Sequence, residues 1–122
     1  MKKLLVIAVM SLLLSSNVFA GSLLYEDYKK FKGDQSLDTY IAGMLAGVQW
    51  SNAQALSLNS ENKKFQRLFC PPGKLVIELT NAKTIIERTA KQVLTVIPES
   101  ELDKWDIVIL LIKGLEDTFP CE

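Results

Sequence analysis

Apolar residues along the chain recur at intervals of three and four far more often than they alternate, the period of helices that bury one face. Leu23, Leu24, Tyr28 and Phe31 mark a first short helix over 23–32, with Gly33 as its stop. A second starts from an Asp34 or Ser36 cap and is predicted to reach about Leu56, with Leu37, Ile41, Met44, Leu45 and Val48 on one face. Beside that face Ala42, Gly43, Ala46 and Gly47 form a stripe of small residues. A glycine inside a helix costs about 1 kcal/mol against alanine, so the stripe predicts another helix packed very close there. Trp50 and Trp105 both sit in apolar helical patterns and are expected to anchor the core.

The composition turns polar over 57–67, which predicts a surface loop. After Pro71, Pro72 and Gly73, the residues Leu75, Ile77 and Leu79 alternate with Lys74, Val76 and Glu78, an extended pattern. Thr80 or Asn81 can cap a third helix carrying Ala82, Ile86, Ala90, Val93 and Ile97, which Pro98 ends. Ser100 and Asp103 have the spacing of a capping box for a fourth helix running to Phe119. One of its stripes is Leu102, Trp105, Ile109 and Ile112; the other is Val108, Leu111, Leu115 and Phe119. The run 107–112 is apolar all round, so this helix is either the centre of the bundle or an oligomer surface. The expected fold is all-α: a small four-helix domain.

The first twenty residues carry a different pattern. Lys2 and Lys3 precede an almost wholly apolar run over 4–14, and Val18, Phe19 and Ala20 make a small-x-small cleavage site before Gly21. Residues 1–20 are predicted to be a cleaved signal peptide of bacterial form, leaving 21–122 as one helical domain in the periplasm. The run is too short to span a bilayer comfortably, and no later segment reaches about 18 apolar residues, so no membrane association is expected after cleavage.

Export changes the meaning of the two cysteines. In an oxidising compartment a lone pair joins by default, so Cys70 and Cys121 are expected to form a disulfide. Closing a loop of that length stabilises a small domain by roughly 4 kcal/mol in the chain-entropy model. A third and a fourth helix joined by a short turn run antiparallel and bring Cys121 back toward the start of the third. A Cα separation below about 7 Å, which a bridge needs, is then within reach.

Charge and chemistry narrow the function by exclusion. There are 14 basic and 14 acidic residues; loss of Lys2 and Lys3 leaves a net charge of −2. No basic stripe with interleaved aromatics appears, and Lys29, Lys30 and Lys32 fit a solvated helix face, so no nucleic-acid partner is expected. Without histidine there is no Ser/His/Asp or Cys/His site. The adjacent pairs Glu26 with Asp27 and Glu116 with Asp117 point about 100° apart on a helix and do not converge on a metal. The expectation is no enzyme, no metal and no cofactor: a protein that acts by binding. Its candidate contact residues lie on the polar face of the third helix, at Asn81, Lys83, Thr84, Glu87, Arg88 and Lys91, and in the 57–67 loop, at Asn59, Glu61, Asn62 and Lys63.

Several short motifs resemble one family, the Rap/Tai immunity proteins that neutralise type VI secretion amidase effectors. Tyr40, Ile41, Ala42 and Gly43, followed by Gly47, resemble its Tyr-Ile-x-Gly element; Phe69, Cys70, Pro71 and Pro72 resemble its Phe-Cys-x-Pro. Pro98 between two helices and the terminal Phe119, Pro120 and Cys121 complete a resemblance covering about residues 36–121. It implies a disulfide-bonded four-helix domain, commonly a homodimer, that occludes the groove of a peptidoglycan-cleaving Cys/His amidase in the periplasm. The chain departs from many relatives in lacking a second cysteine pair near its N-terminus, so no covalent tie is expected for the first helix. The alternative is an acid-stress periplasmic chaperone, suggested by the apolar fourth helix, or an orphan binding domain of the same fold.

Overall fold

A computed structural model describes residues 21–62, 66–73 and 75–122, with backbone alone for 56–62. The predicted signal peptide lies outside the described residues. Among the described residues five helices follow in order: α1 Tyr25–Lys30, α2 Gln35–Asn62, α3 Leu79–Val93, α4 Glu99–Leu102 and α5 Ile107–Thr118. The fold is all-α; the β-type pairing among the described residues is one isolated antiparallel bridge between Leu24 and Asp106.

Helix α5 packs along α3 and buries its apolar run in the core. Ile107, Leu110, Leu111 and Leu115 are fully buried, which accommodates the apolar run, and only Ile109 remains about half exposed, at 49%. Each such buried side chain contributes about 1.5–3 kcal/mol relative to exposure. Ala82, Ile85, Ile86 and Ala90 of α3, and Leu37, Ile41 and Leu45 of α2, complete the core. The close approach of two helices occurs at Gly114 of α5, where an added Cβ would collide with Ile85 Cγ2 and Thr89 Oγ1 of α3. The small-residue stripe of α2 does not have this role among the described residues: none of them lies within 4 Å of where a Cβ would stand on Gly43 or Gly47. Trp50, on the same outer face, is 70% exposed and does not anchor the core, whereas Trp105 packs half-buried against it.

The helix boundaries differ from the pattern for local reasons. Asp34 caps α2, its carboxylate accepting from the Ser36 N–H at 2.8 Å, and Gly33 turns the chain with a φ of 92°. Helix α2 then continues to Asn62, through part of the expected loop. Helix α3 starts one residue past Glu78, and Asn81, at its third position, accepts from the Glu78 N–H at 3.1 Å rather than capping. It ends at Val93, the 94–97 segment closing in turns onto Ala90, Gln92 and Val93 carbonyls.

The predicted fourth helix is two helices, and the N-terminal segment is the cause. In a continuous helix the Ile107 N–H would bond the Asp103 carbonyl. Instead Ile107 donates to the Leu23 carbonyl at 2.9 Å, Asp103 accepts from the Glu26 N–H at 3.3 Å, and the Tyr25 N–H bonds the Trp105 carbonyl at 2.9 Å. Asp106 restarts the helix as its N-cap, accepting from the Val108 N–H at 2.9 Å. Ser100 does not cap: α4 begins at Glu99 after Pro98.

Helix α1 is held without a second disulfide. Tyr28 is buried and its hydroxyl donates to Glu87 Oε1 at 2.9 Å. Lys29 bridges Glu99 at 2.5 Å and Asp103 at 2.6 Å, and Lys32 pairs with Glu87 at 2.6 Å.

The Cys70–Cys121 disulfide is present, with a Cα separation of 5.0 Å. Hydrogen bonds position both of its ends. The Cys70 N–H donates to the Phe119 carbonyl at 2.7 Å. Buried Asn52 of α2 brackets the neighbouring chain, its Nδ2 donating to the Phe69 carbonyl at 2.8 Å and its Oδ1 accepting from the Leu68 N–H at 3.0 Å and the Phe69 N–H at 3.4 Å. A buried amide so fully satisfied sets where Phe69 enters the core and hence where Cys70 emerges.

Candidate binding groove along helix α3

The polar residues of α3 separate onto two flanks. Lys83 and Glu87, four apart, face α1 and the start of α2. Lys83 Nζ pairs with Asp38 Oδ1 at 2.7 Å; Glu87 meets both Lys32 and Tyr28. The Lys32 ammonium, with the Tyr28 hydroxyl adding to it, holds the Glu87 carboxyl below the usual carboxylate range. Burial first, and then the bond to Glu87, push the Tyr28 hydroxyl upward. These two residues, partly exposed, are paired within the fold and do not line the groove on the other flank.

Asn81, Thr84 and Arg88 recur at spacings of three and four on the other flank. They line a groove of about 260 Å³ with the extended 75–77 segment on one side and Thr118 and Phe119 of the α5 terminus on the other. Thr84 is turned back to the Thr80 carbonyl at 2.9 Å. Arg88 Nη2 donates to Thr118 Oγ1 at 2.5 Å, and Thr118 in turn donates to the Gly114 carbonyl at 2.5 Å. That chain of bonds fixes one edge of the guanidinium while Arg88 as a whole stays exposed. The Cys70–Phe119 backbone bond, next to the disulfide, holds the far wall.

Two apolar side chains stand at the rim. Val76 is 73% exposed and Leu75 nearly half exposed, so the two place adjacent apolar surface in water beside Arg88. Leu75 also borders a second hollow of about 230 Å³ whose lining includes Arg67, Phe69 and Pro71.

The remaining candidates divide cleanly. Lys91 is exposed near the end of α3. Asn59, Glu61 and Asn62 belong to the last turns of α2 rather than to a loop, and Lys63 lies outside the described residues. Among the described residues no group of three or more His, Cys, Asp or Glu could hold a metal ion, and no helix is long and apolar enough to cross a membrane. Comparisons with protein families, curated proteins and solved structures find no match. The residues that sequence reasoning missed are Leu75, Val76 and Phe119 as groove walls. Their signal was the break in helical period over 75–79, which marked an extended segment without showing that it stands at the surface.

Proposed function

We propose that this protein is a periplasmic immunity protein that binds a peptidoglycan amidase effector of type VI secretion and occludes its active-site groove. The observation that carries the reading is the coincidence of Asn81, Thr84 and Arg88 with exposed Leu75 and Val76 on one face, whose Phe119 wall is tied to Cys70 beside the disulfide. Binding surfaces combine apolar anchors with a few placed polar groups and an arginine, and this face has that composition. The motifs around Cys70 and Cys121 support the same reading: Phe119 of the second lines the groove, and the Cys70 N–H of the first bonds its carbonyl. Blocking a groove requires no chemistry from the inhibitor, only a surface rigid enough to exclude substrate without paying to order itself on binding. Export to the periplasm and a homodimeric state belong to this proposal.

The chaperone alternative rested on an apolar fourth helix available to clients; Ile107, Leu110 and Leu111 of that helix are buried in the core. The test is purification of the exported protein without reductant and assay against the product of an adjacent reading frame encoding a small Cys/His amidase. Stoichiometric binding with loss of peptidoglycan cleavage is expected. Undiminished cleavage with no complex, or protection of many unrelated unfolding clients at about pH 2–3, would reject the reading.

A further inference from the structure

The described lining of the groove beside α3 is basic. Among the described residues, Arg88 is the one charged residue lining it, and Arg67 is the one charged residue of the hollow across the Leu75 ridge. No acid lines either, although Glu78 and Glu122 are close in sequence. The apolar hollow near the α3 C-terminus, by contrast, carries Lys113 and Asp117 together and so has no preferred sign. The backbone along the groove is also unusual. Residues 75–78 are extended, and the Val76 N–H and C=O make no hydrogen bond to any described residue; Ile77 turns its carbonyl inward to Gln49 Nε2 at 3.4 Å. Val76, exposed and with neither backbone group bonded to a described residue, offers a point of pairing to an added strand.

We propose that this groove receives an extended segment of the partner polypeptide in which an acidic side chain is flanked by apolar ones at alternate positions. The partner backbone pairs with Val76. Its carboxylate meets the Arg88 guanidinium, whose remaining N–H groups are left by the single bond to Thr118. Its apolar side chains lie between Leu75 and Phe119. Alternation follows from geometry: successive residues of a strand face opposite sides, so one side chain in two enters the groove. The identity of the partner as an amidase rests on the function proposed above; the chemistry of the segment rests on the groove alone.

Two measurements separate these. Linear dodecapeptides displayed on phage are selected against the oxidised full-length mature chain, against Arg88→Glu and against Val76→Asp, each variant first checked by thermal melting to be folded. The expected result is enrichment on the native protein of acidic peptides with apolar residues at alternate positions, and an affinity loss of tenfold or more on both variants. Basic peptides, peptides with helical i, i+3, i+4 anchors, no enrichment, or enrichment indifferent to both variants would each overturn the proposal. In the second measurement the amidase itself is titrated with the same three proteins. Tight binding unchanged by both substitutions would overturn the groove while leaving the amidase reading intact. Absence of amidase binding alongside the expected peptide selection would do the reverse.

Discussion

The two flanks of α3 are made of similar residues and do different things. On the α1 side, Lys83 and Glu87 are paired with Asp38, Lys32 and Tyr28, and the polar groups there meet their complements inside the molecule. On the groove side, Arg88 has a single hydroxyl partner, and the neighbouring Leu75 and Val76 keep much of their apolar surface in water. The difference is set by what packs alongside. The turn after α1 brings Lys32, and the start of α2 brings Asp38, to one flank, whereas Leu75, Val76 and Phe119 bring apolar walls to the other, with no acid among the described lining residues. A polar helix face is therefore not one surface, and its spare bonding capacity, rather than its polarity, marks the side available to a partner.

The largest test of this contrast removes what builds the groove wall. Replacing Cys70 and Cys121 together by serine is expected to cost about 4 kcal/mol in urea unfolding, because the unfolded chain regains the entropy of a 51-residue separation. Peptide binding at the groove should fall with it, while the α1 flank, tied by ion pairs and the Leu24–Asp106 bridge, should keep its hydrogen-exchange protection. Next, Gly114→Ala drives a methyl group into Ile85 and Thr89 and should destabilise the protein by about 2–3 kcal/mol, disturbing both flanks since α3 itself must shift.

Tyr28→Phe touches only the α1 flank and should cost about 1 kcal/mol in denaturation with no change in groove binding. The same flank is expected to respond to acid. Because Glu87 is held below its ordinary value of 4.5, its contribution is complete above that pH and is lost as pH falls through the lower, folded value. Unfolding midpoints measured from pH 6 to pH 2 should decline more steeply in the native protein than in Glu87→Gln. The smallest effect is on the outer face of α2. Gly47→Ala should stabilise by about 0.5–1 kcal/mol, since the added methyl meets nothing in the fold and relieves the backbone entropy of glycine. A destabilised or dissociated protein instead would place a packing partner on that face.

Legibility followed the range of the interactions. The apolar faces of α2 and α3 and the helical core were apparent from periodicity, because Leu37, Ile41, Ile86 and Ala90 lie inside wherever a helix of that pattern packs. The break at 103–106 was not, because the Leu23 carbonyl and the Glu26 N–H that cause it come from the opposite end of the domain. The glycines show the same limit. Gly43 and Gly47 had the spacing of a close contact and make none among the described residues, while Gly114, without such a pattern, makes a tight one. Of the candidate site, Asn81, Thr84 and Arg88 come together at the groove, but Lys83 and Glu87 are withdrawn from it by residues 45 and 59 positions away in sequence.

The chain by itself determined an all-helical domain and which two sulfurs join, since helical period and a solitary cysteine pair are local or combinatorial facts that need no coordinates. Tertiary structure alone decided which flank of α3 stays available and where the apolar surplus emerges. Those outcomes depend on which distant carbonyl, carboxylate or methyl group arrives beside a residue, and one-dimensional spacing does not encode that arrival.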